Sequence, residues 1–415
     1  MKRRTAVVLS GGGARGAYEV GVLSYVFGEL SRLRGGPPPI DILSGTSVGA
    51  INACFLAAHL EDPQAGLQRL VSLWQEIRLS EIMGFGLRQA LTLPLLLRGG
   101  ARGTGMLDVV PITALVTKQI PWRSIGHVLR RGHLRTLSVA ATEVQSGRTV
   151  LFMQNGPEAT LPAGAPARTV LRAARIGPQH ALASAAIPIL FPPVRIGNEL
   201  YVDGGLRQNT PIGPILRMGA THIFAIGLSR AARGITENPP LGDRLPGAAF
   251  LLGKVLNAFL LDHVDTDLDL TARMNGVLDD AAVAFGSDAV ARLNGVAATR
   301  GRPPYRRVET ICIRPTEDLG RIAAEHVRGR RVPGSVPQRA LALLDVGEGG
   351  ESDLASYLLF DGTFAARLID LGRADAAARC RELLAFFGSR DDDEALRFDE
   401  PLEQEGSMLP PPVVG

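Results

Sequence analysis

Cysteine is scarce in this sequence. The 415 residues include only three cysteines, Cys54, Cys312 and Cys380, and these lie far apart. Their spacing fits neither a disulfide framework nor a metal-binding motif. Unpaired thiols are typical of reducing compartments. The sequence therefore predicts a cytoplasmic protein that holds no structural metal and no disulfide.

Long hydrophobic runs are also missing. No stretch reaches the roughly 20 apolar residues that a transmembrane helix needs. The apolar run 5–10 follows Met1-Lys2-Arg3-Arg4 and resembles the start of a signal peptide, but Gly11 ends it too early. We predict that this run is a buried strand. Any contact with a membrane is then expected to be peripheral, at the inner membrane surface.

Charge of either sign is modest. Charged residues make up 21% of the chain, hydrophobic residues 46%, and the net charge is +4. This composition supplies a large core, and the positive excess is too small and too scattered to indicate nucleic-acid binding. One basic cluster has two open interpretations, a solvated surface or a site for anionic headgroups. It comprises Arg123, Arg130, Arg131, His133 and Arg135.

The clearest local motif is Gly45-Thr46-Ser47-Val48-Gly49. It stands between the apolar run 40–43, which is typical of a buried strand, and the segment 51–58, whose apolar residues have helical spacing. Gly-x-Ser-x-Gly between a strand and a helix is the pattern of a nucleophile elbow. Gly45 and Gly49 permit a sharp turn and close packing of the helix on the strand. We therefore predict that Ser47 is a nucleophile at a helix N-terminus, where negative charge is stabilised. A chance match of this short motif in a chain with 48 glycines is the alternative interpretation.

A glycine-rich turn, Gly11-Gly12-Gly13-Ala14-Arg15-Gly16, joins the first predicted strand to a helix. Successive backbone N–H groups in such a turn attract an anion. The glycine spacing matches the dinucleotide fingerprint, but that fingerprint needs an acidic residue near the end of the second strand, and Asp41 lies at its start. The alternative is an oxyanion hole whose amides face Ser47. The glycine-rich turn and the Ser47 turn follow neighbouring strands of a predicted parallel sheet, so they are expected to face each other, which favours this alternative.

An acidic residue ends another predicted strand. Glu199-Leu200-Tyr201-Val202 is followed by Asp203-Gly204-Gly205. The two glycines let the backbone turn beside the carboxylate, which would then face the same crevice as Ser47. Asp-Gly is also a common turn dipeptide, so an ordinary turn aspartate is the alternative interpretation.

Further along, the patterns predict strands, helices and a tail. Predicted strands cover 134–143, 148–153, 221–228 and 308–315, and predicted helices cover 181–188, 246–297 and a pair within 353–388. The apolar stretch 81–100, flanked by basic residues, is either a lid or lipid-facing patch or a buried irregular helix pair. The acidic, proline-rich tail 389–415 is predicted to be disordered.

Three motifs, in this order and spacing, resemble the patatin-like phospholipase family in its bacterial branch: the glycine-rich turn, Gly-x-Ser-x-Gly and Asp203-Gly204-Gly205. A fourth block of that family, Ala-Ser before a proline, is matched by Ala183-Ser184 and Pro188. The resemblance implies an α/β fold with a central, mostly parallel sheet sandwiched by helices. It also implies a catalytic core at 5–230, followed at 231–388 by a helical insert, a late strand and C-terminal helices.

The same resemblance implies the chemistry. Ser47 and Asp203 would form a dyad in place of a Ser-His-Asp triad, and Ser47 would form an acyl-enzyme. Backbone amides of the glycine-rich turn would stabilise the oxyanion, with Arg15 shaping that turn. The expected substrate is a phospholipid or another acyl ester, and hydrolysis is expected to need neither calcium nor a cofactor.

Two alternatives stay open at this point. A non-catalytic lipid-binding or regulatory protein could use the same fold, although such a protein would not need both Ser47 and Asp203. A nucleotide-binding oxidoreductase rests on the glycine spacing alone and leaves Ser47 unexplained. The sequence does not indicate the oligomeric state.

Overall fold

The structure, a computed structural model, describes residues 3–82, 109–159, 168–188, 190–230, 264–329 and 353–388. Nine strands form one sheet in these ranges. They are β1 (Thr5–Leu9), β2 (Ile42–Thr46), β3 (Thr136–Glu143), β4 (Thr149–Asn155), β5 (Thr169–Ala173), β6 (Val194–Ile196), β7 (Glu199–Asp203), β8 (His222–Ile226) and β9 (Glu309–Ile313).

The main path of the sheet has the strand order β5-β4-β3-β2-β1-β8-β9. Neighbouring strands from β3 to β9 along this path are all parallel. Strand β4 runs antiparallel to β3 and parallel to β5. Strand β7 pairs antiparallel with both β3 and β6. The prediction of an α/β fold with a mostly parallel sheet is confirmed.

The helices connect and cover these strands. They are α1 (Gly16–Tyr25), α2 (Ser31–Arg34), α3 (Val48–Ala58), α4 (Pro63–Glu76), α5 (Leu79–Ile82), α6 (Val110–Gln119), α7 (Trp122–Arg130), α8 (Pro178–Ser184), α9 (Ile212–Arg217), α10 (Val264–Phe285), α11 (Ala289–Thr299), α12 (Leu319–Gly329), α13 (Asp353–Leu358), α14 (Gly362–Ala378) and α15 (Cys380–Phe387). No helix among the described residues is long and apolar enough to cross a bilayer.

Both faces of the sheet are buried at β1, which is why four of the five residues of that strand are apolar. In β1, Val7 and Leu9 point into the larger core beneath α1, α3 and α14. Ala6 and Val8 point into a second core with residues of α9 and α10. A strand buried on both faces has no polar side to alternate with, as is typical of parallel sheets. The helices therefore sandwich the sheet.

Several elements differ from the sequence-based expectations. Strands β5 and β6 were not predicted, because they are short and half-exposed and lack a clear apolar pattern. The helix expected at 181–188 is α8, which begins at Pro178 and ends at Ser184. The segment 353–388 forms three helices, because the Asp361 side chain caps a new helix by accepting from the amides of Thr363 and Phe364.

Other predictions fall partly outside the described residues. Helices α10 and α11 lie within the predicted helical insert, whose first part, 246–263, is outside the described ranges. Most of the stretch 81–100 and the whole tail 389–415 are also outside them. The predicted boundary at residue 230 stays a prediction; beyond it, β9 extends the same sheet beside β8.

The ends of β2 and β7 meet on one side of β3. Thr46, the last residue of β2, pairs with Ala140, and Asp203, the last residue of β7, pairs with the adjacent Ala141. Because β2 runs parallel and β7 antiparallel to β3, the two strands approach each other head to head. The residues that follow β2 and end β7 are therefore brought together.

Helices α1 and α14 cross at a pair of glycines. A Cβ atom on Gly372 would lie 2.3 Å from the carbonyl oxygen of Tyr18, and one on Gly21 would lie 2.1 Å from that of Ile369. Real Cβ atoms do not approach backbone oxygen so closely. The seam between the two helices therefore requires a residue without a side chain at both positions.

We expect Gly372→Ala to lower the free energy of unfolding by about 1–3 kcal/mol, because the helices must separate to admit the methyl group. Gly276→Ala is the matched control, since that exposed position in α10 has no atom within 4 Å of the added Cβ. It should stabilise the protein by about 0.5–1 kcal/mol through helix propensity. Urea unfolding of both variants measures the difference, and equal stabilities would contradict the tight crossing.

Candidate active site

Ser47 lies in a strained turn between β2 and α3. Its backbone angles are φ 55° and ψ −126°, a conformation that a residue with a side chain rarely adopts. The turn is held from outside: the Ser47 amide donates to Ser184 Oγ over 2.8 Å, and Ser184 Oγ donates to the carbonyl of Ala140 over 2.5 Å. Ser184 is fully buried. It therefore fixes the turn to the neighbouring strand β3.

The two glycines of the motif allow this turn. A Cβ on Gly45 would lie 2.3 Å from the carbonyl oxygen of Gly49, and a Cβ on Gly49 would lie 2.6 Å from that of Ser10. Both contacts are to backbone atoms, which cannot rotate away. Helix α3 can therefore begin directly against β2 and β1 only with glycine at these positions.

The Ser47 hydroxyl donates a hydrogen bond to the Asp203 carboxylate, with 2.6 Å between Ser47 Oγ and Asp203 Oδ2. The other carboxylate oxygen accepts from the amide of Gly205 over 2.7 Å. Ser47 is 2% exposed and Asp203 is 1% exposed. The head-to-head junction of β2 and β7 thus brings together the serine and the aspartate that the motifs singled out.

Burial raises the pKa of Asp203 to about 7, because the charged carboxylate loses its hydration. The hydrogen bonds from Ser47 and from the Gly205 amide act in the opposite direction, since they stabilise the charged form. A carboxyl group with a pKa near 7 can exchange protons readily near neutral pH, which suits a general base.

No histidine in the described part of the chain contacts this pair. Each of the six described histidines has another partner: His59 bonds the Phe55 carbonyl, His127 and His133 lie beside Glu61, His180 accepts from Gly177, His222 lies beside Glu309 and His326 beside Asp361. The seventh, His263, lies outside the described residues. Among the described residues, Asp203 is therefore the titratable side chain that forms a hydrogen bond with the Ser47 hydroxyl.

The glycine-rich turn packs beside Ser47. A Cβ on Gly11 would lie 3.0 Å from Ser47 Cβ. Asn209 holds the Gly11 peptide from both sides, because its side-chain oxygen accepts from the Gly11 amide and its side-chain nitrogen donates to the Gly11 carbonyl, each over 3.0 Å. The Gly11 amide is therefore engaged. Among the described residues, none accepts a hydrogen bond from the amides of Gly12 or Gly13.

The rest of the turn begins helix α1 and contacts α13. The amides of Arg15 and Gly16 bond back to the turn itself. The Arg15 guanidinium lies 4.0 Å above the ring of Tyr357 and donates to Ser356 Oγ over 2.8 Å. Gly13 has φ +57°, and a Cβ there would lie 2.3 Å from the Tyr357 carbonyl oxygen. Helix α13 therefore covers the turn and holds Arg15, which is buried.

The structure opposes the dinucleotide interpretation of this turn. Asp41 lies at the amino end of β2, where it accepts a hydrogen bond from the Thr5 amide over 2.8 Å. A ribose-binding acid would have to lie at the carboxyl end of that strand, beside the glycine-rich turn. Ser47 follows β2 at that end instead.

An apolar cavity extends from Ser47. It runs between α3, α4, α5 and α6 and reaches the segment 185–191 and the residues after α13. Its walls are mainly aliphatic and aromatic side chains, such as Ile51, Phe55 and Trp74, and it includes Ser47 and Gly13 at one side. Away from the serine, the polar side-chain atoms among its described lining residues belong to Asn52, Gln119, Trp74 and Tyr357. Such a lining suits a hydrocarbon chain.

Sequence patterns missed the side chains that hold the site together. Asn209 and Ser184 act through hydrogen bonds to the backbone of distant residues. Glu19, also buried, accepts from the Ser10 amide over 2.7 Å and from Asn52 Nδ2 over 2.9 Å, and so connects α1 to α3 and to the start of the glycine-rich turn. Ser184 had one signal, the Ala-Ser before a proline; Asn209 and Glu19 had none.

Comparisons with known proteins place these features in context. A family model for patatin-like phospholipases matches residues 7–216, half of the chain. Among solved structures, VipD from Legionella pneumophila matches at 14% identity over 89% of this chain and 67% of that chain, with a TM-score of 0.29.

Two other solved structures match over most of this chain. A human GIVD cytosolic phospholipase A2 in complex with methyl gamma-linolenyl fluorophosphonate matches at 14% identity over 93% of this chain, with a TM-score of 0.39. The match spans 59% of that chain. The ExoU-SpcU complex from Pseudomonas aeruginosa matches at 18% identity over 95% of this chain and 74% of that chain, with a TM-score of 0.24.

Proposed function

Because this chain belongs to the patatin-like phospholipase family, we propose that it is a serine acyl hydrolase that cleaves phospholipids or related fatty-acyl esters. The observation that carries the proposal is the 2.6 Å hydrogen bond from Ser47 Oγ to the buried Asp203 carboxylate. This pair opens onto an apolar cavity and lies beside the glycine-rich turn, where the amides of Gly12 and Gly13 have no acceptor among the described residues. A nucleophile, a base, oxyanion donors and room for a hydrocarbon chain are the parts that acyl transfer requires.

In the first half of the reaction, Asp203 takes the proton of Ser47 as the serine oxygen attacks the ester carbonyl carbon. The carbonyl oxygen becomes negatively charged, and the amides of Gly12 and Gly13 would donate to it. Collapse of this intermediate breaks the bond to the alcohol portion of the lipid. Asp203 returns its proton to the departing alcohol oxygen, and the acyl group stays on Ser47.

In the second half, water replaces the alcohol. Asp203 takes a proton from the water as it attacks the acyl carbonyl, and the same amides hold the second oxyanion. The bond to Ser47 Oγ then breaks, the serine recovers its proton from Asp203, and a fatty acid leaves. No step in this scheme requires a metal ion, so we propose that hydrolysis is independent of calcium.

The apolar cavity is proposed to hold the acyl chain. Its polar lining is limited, and the Asn52 side chain is already bonded to Glu19 and to Trp74 Nε1. A charged headgroup would lose its hydration there without gaining partners. The headgroup is therefore expected to stay outside the cavity. We also propose that the protein is cytoplasmic and contacts the inner membrane surface peripherally.

The test is hydrolysis of p-nitrophenyl esters with short and long acyl chains, measured with EDTA and again with added calcium. We expect turnover in EDTA, with a higher kcat/KM for the longer chain. Turnover only with calcium would contradict the metal-independent scheme. No turnover, together with no labelling of Ser47 by a fluorophosphonate, would favour the non-catalytic lipid-binding alternative.

Asn209 is expected to support catalysis without touching the substrate. Asn209→Ala would leave the Gly11 amide and carbonyl unpaired and let the glycine-rich turn shift relative to Ser47. We expect kcat to fall by roughly 10- to 100-fold, since the oxyanion donors would be misplaced. KM should change far less. Gln208→Ala is the neighbouring control, and an equal fall in kcat in both variants would contradict this role.

A further inference from the structure

The basic cluster at 123–135 separates into two groups in the structure. Part of it is neutralised: Arg131 lies 3.4 Å from Glu61, and Arg135 lies 3.4 Å from Glu158. These arginines belong to ordinary surface ion pairs, which contribute little. The remaining two arginines of the cluster, Arg123 and Arg130, are on α7 and line a second groove, although Arg130 also lines the groove that contains Arg131 and Arg135.

The second groove is lined by three arginines and, among the described residues, by no acidic residue. Arg123 and Arg130 from α7 and Arg175 from the chain after β5 line an open groove of about 800 Å³. Its other lining residues, among those that the structure describes, come from α7 and from the ends of β4 and β5, and none of these is acidic. In the described part of the chain, none of the three guanidinium groups has an ion pair or a hydrogen bond. Arg131 and Arg135 differ from these three arginines because each of them has an acidic partner.

A small space over Gly126 lies between two nitrogen donors. A Cβ at position 126 would lie 3.3 Å from Arg130 Nη1 and 3.7 Å from Gln154 Nε2. The orientation of the Gln154 amide is fixed, because its oxygen accepts from the Ile176 amide over 2.9 Å. Its nitrogen must then face the groove. A guanidinium and an amide nitrogen, both donors, thus face one space that exists because residue 126 lacks a side chain.

We propose that this groove binds a phosphate-bearing ligand. Guanidinium groups donate paired hydrogen bonds that match the oxygens of a phosphate. Three arginines and a fixed amide donor supply positive charge and hydrogen bonds, and no carboxylate among the described lining residues repels the anion. The ligand is recognised through its phosphate, which either a soluble compound or a lipid headgroup could carry.

The groove is separate from the site at Ser47. Asn155 and Met153, which line it, pair with Thr136 and Ser138 near the start of β3. Asp203 pairs with Ala141, towards the other end of that strand. At roughly 3.3 Å per residue, the two regions are about 10–16 Å apart along β3. A phosphate in the groove is therefore not the headgroup of the lipid held at Ser47.

Calorimetric titration with pyrophosphate tests the proposal independently of any hydrolase activity. Arg130→Gln should weaken binding at least about ten-fold, because it removes a charged donor from the groove. Arg131→Gln is the matched control: it removes the same charge from the next residue, which pairs with Glu61, and should change binding less than about two-fold. No binding by the wild type, or equal losses in both variants, would overturn the proposal.

Gly126→Ala provides a test without any change of charge. The methyl group would occupy the space between Arg130 and Gln154, while alanine favours the helix, so the protein should stay folded. Weaker pyrophosphate binding with an unchanged or higher unfolding temperature is expected. Unaltered binding would show that the anion lies elsewhere and would overturn the assignment to this groove.

A second arm separates the two sources of phosphate. Phosphatidylcholine vesicles with and without phosphatidylinositol phosphate are sedimented with wild type, Arg130→Gln and Arg131→Gln. Sedimentation that requires the phosphoinositide and is lost only in Arg130→Gln assigns a lipid headgroup. Pyrophosphate binding without such sedimentation assigns a soluble ligand. If neither probe discriminates Arg130→Gln from Arg131→Gln, the groove is not a phosphate site.

Discussion

Replacing Ser47 with alanine is expected to lower the kcat for ester hydrolysis by roughly 10⁴-fold or more. The alanine removes the oxygen that attacks the carbonyl carbon, so no acyl-enzyme can form. The fold should survive, because the turn is held by backbone contacts and by Ser184, which bonds the amide of residue 47 rather than its side chain. The measurement is kcat and KM for a long-chain ester, together with fluorophosphonate labelling followed by mass spectrometry.

Ser44→Ala is the matched control for this experiment. Ser44 lies on β2, the strand that precedes Ser47, is fully buried, and accepts a hydrogen bond from Ser138 Oγ over 2.8 Å. Ser44→Ala makes the same substitution three residues earlier, and it should retain most of the hydrolase activity and all of the fluorophosphonate labelling. If Ser47→Ala retained more than about a tenth of the wild-type kcat, Ser47 would not be the nucleophile.

The second large effect is expected for Asp203→Asn, which should lower kcat by roughly 10⁴-fold, because an amide cannot take the serine proton. In the wild type, kcat/KM should rise with pH until about pH 7 and then level off, since Asp203 must be ionised and its pKa lies near 7. The residual activity of the variant should lack this rise. A wild-type profile that is flat from pH 5 to pH 8 would contradict Asp203 as the base.

The same variant is expected to reveal that the site destabilises the fold at neutral pH. The folded-state pKa of about 7 lies above the unfolded value of 3.8, so the folded protein holds a proton that the unfolded chain has lost. Stability from this group is fully present below pH 3.8 and is lost as the pH rises to about 7. Asp203→Asn replaces the carboxyl group with an amide that does not titrate, so the variant lacks this pH-dependent loss of stability.

Urea unfolding at several pH values measures this effect. The stability of Asp203→Asn relative to wild type should increase between about pH 4 and pH 7 and stay constant above that range. Asp288→Asn serves as a control, because that side chain is 68% exposed and pairs with Arg292, which is also exposed. A relative stability of Asp203→Asn that does not vary with pH would contradict the raised pKa.

The sequence predicted the parts of the site that depend on local backbone geometry. Gly45 and Gly49 around Ser47 signal a turn, because few other residues fit such close approaches, and the run before them signals a buried strand. Asp203 was found in the same way, from a strand end followed by two glycines. The meeting of Ser47 and Asp203 required the pairing of β2 and β7 on β3, which no local pattern contains.

Contacts between residues far apart in the sequence could not be predicted in this way. Asn209 bonds a peptide 198 residues away and Ser184 one 137 residues away, and their own surroundings look like ordinary loop and helix. The basic cluster shows the same limit. Its five members are close in sequence, yet Arg130 shares a groove with Arg175 while Arg131 does not. Whether an arginine of this cluster lies beside an acidic residue depends on the fold and cannot be read from the local sequence.

The head-to-head junction on β3 also sets the order in which the reactive centre is completed during synthesis. A ribosome releases Ser47 long before Asp203, and the segment that grips Arg15 emerges later still, at residues 356 and 357. Domains fold as their residues become available, from the amino end onwards. A nascent chain that has emerged only as far as β4 therefore carries Ser47 without Asp203. We therefore expect no ester hydrolysis from a growing polypeptide before residue 203 has emerged, and the contacts to Arg15 can form only after residue 357 has emerged.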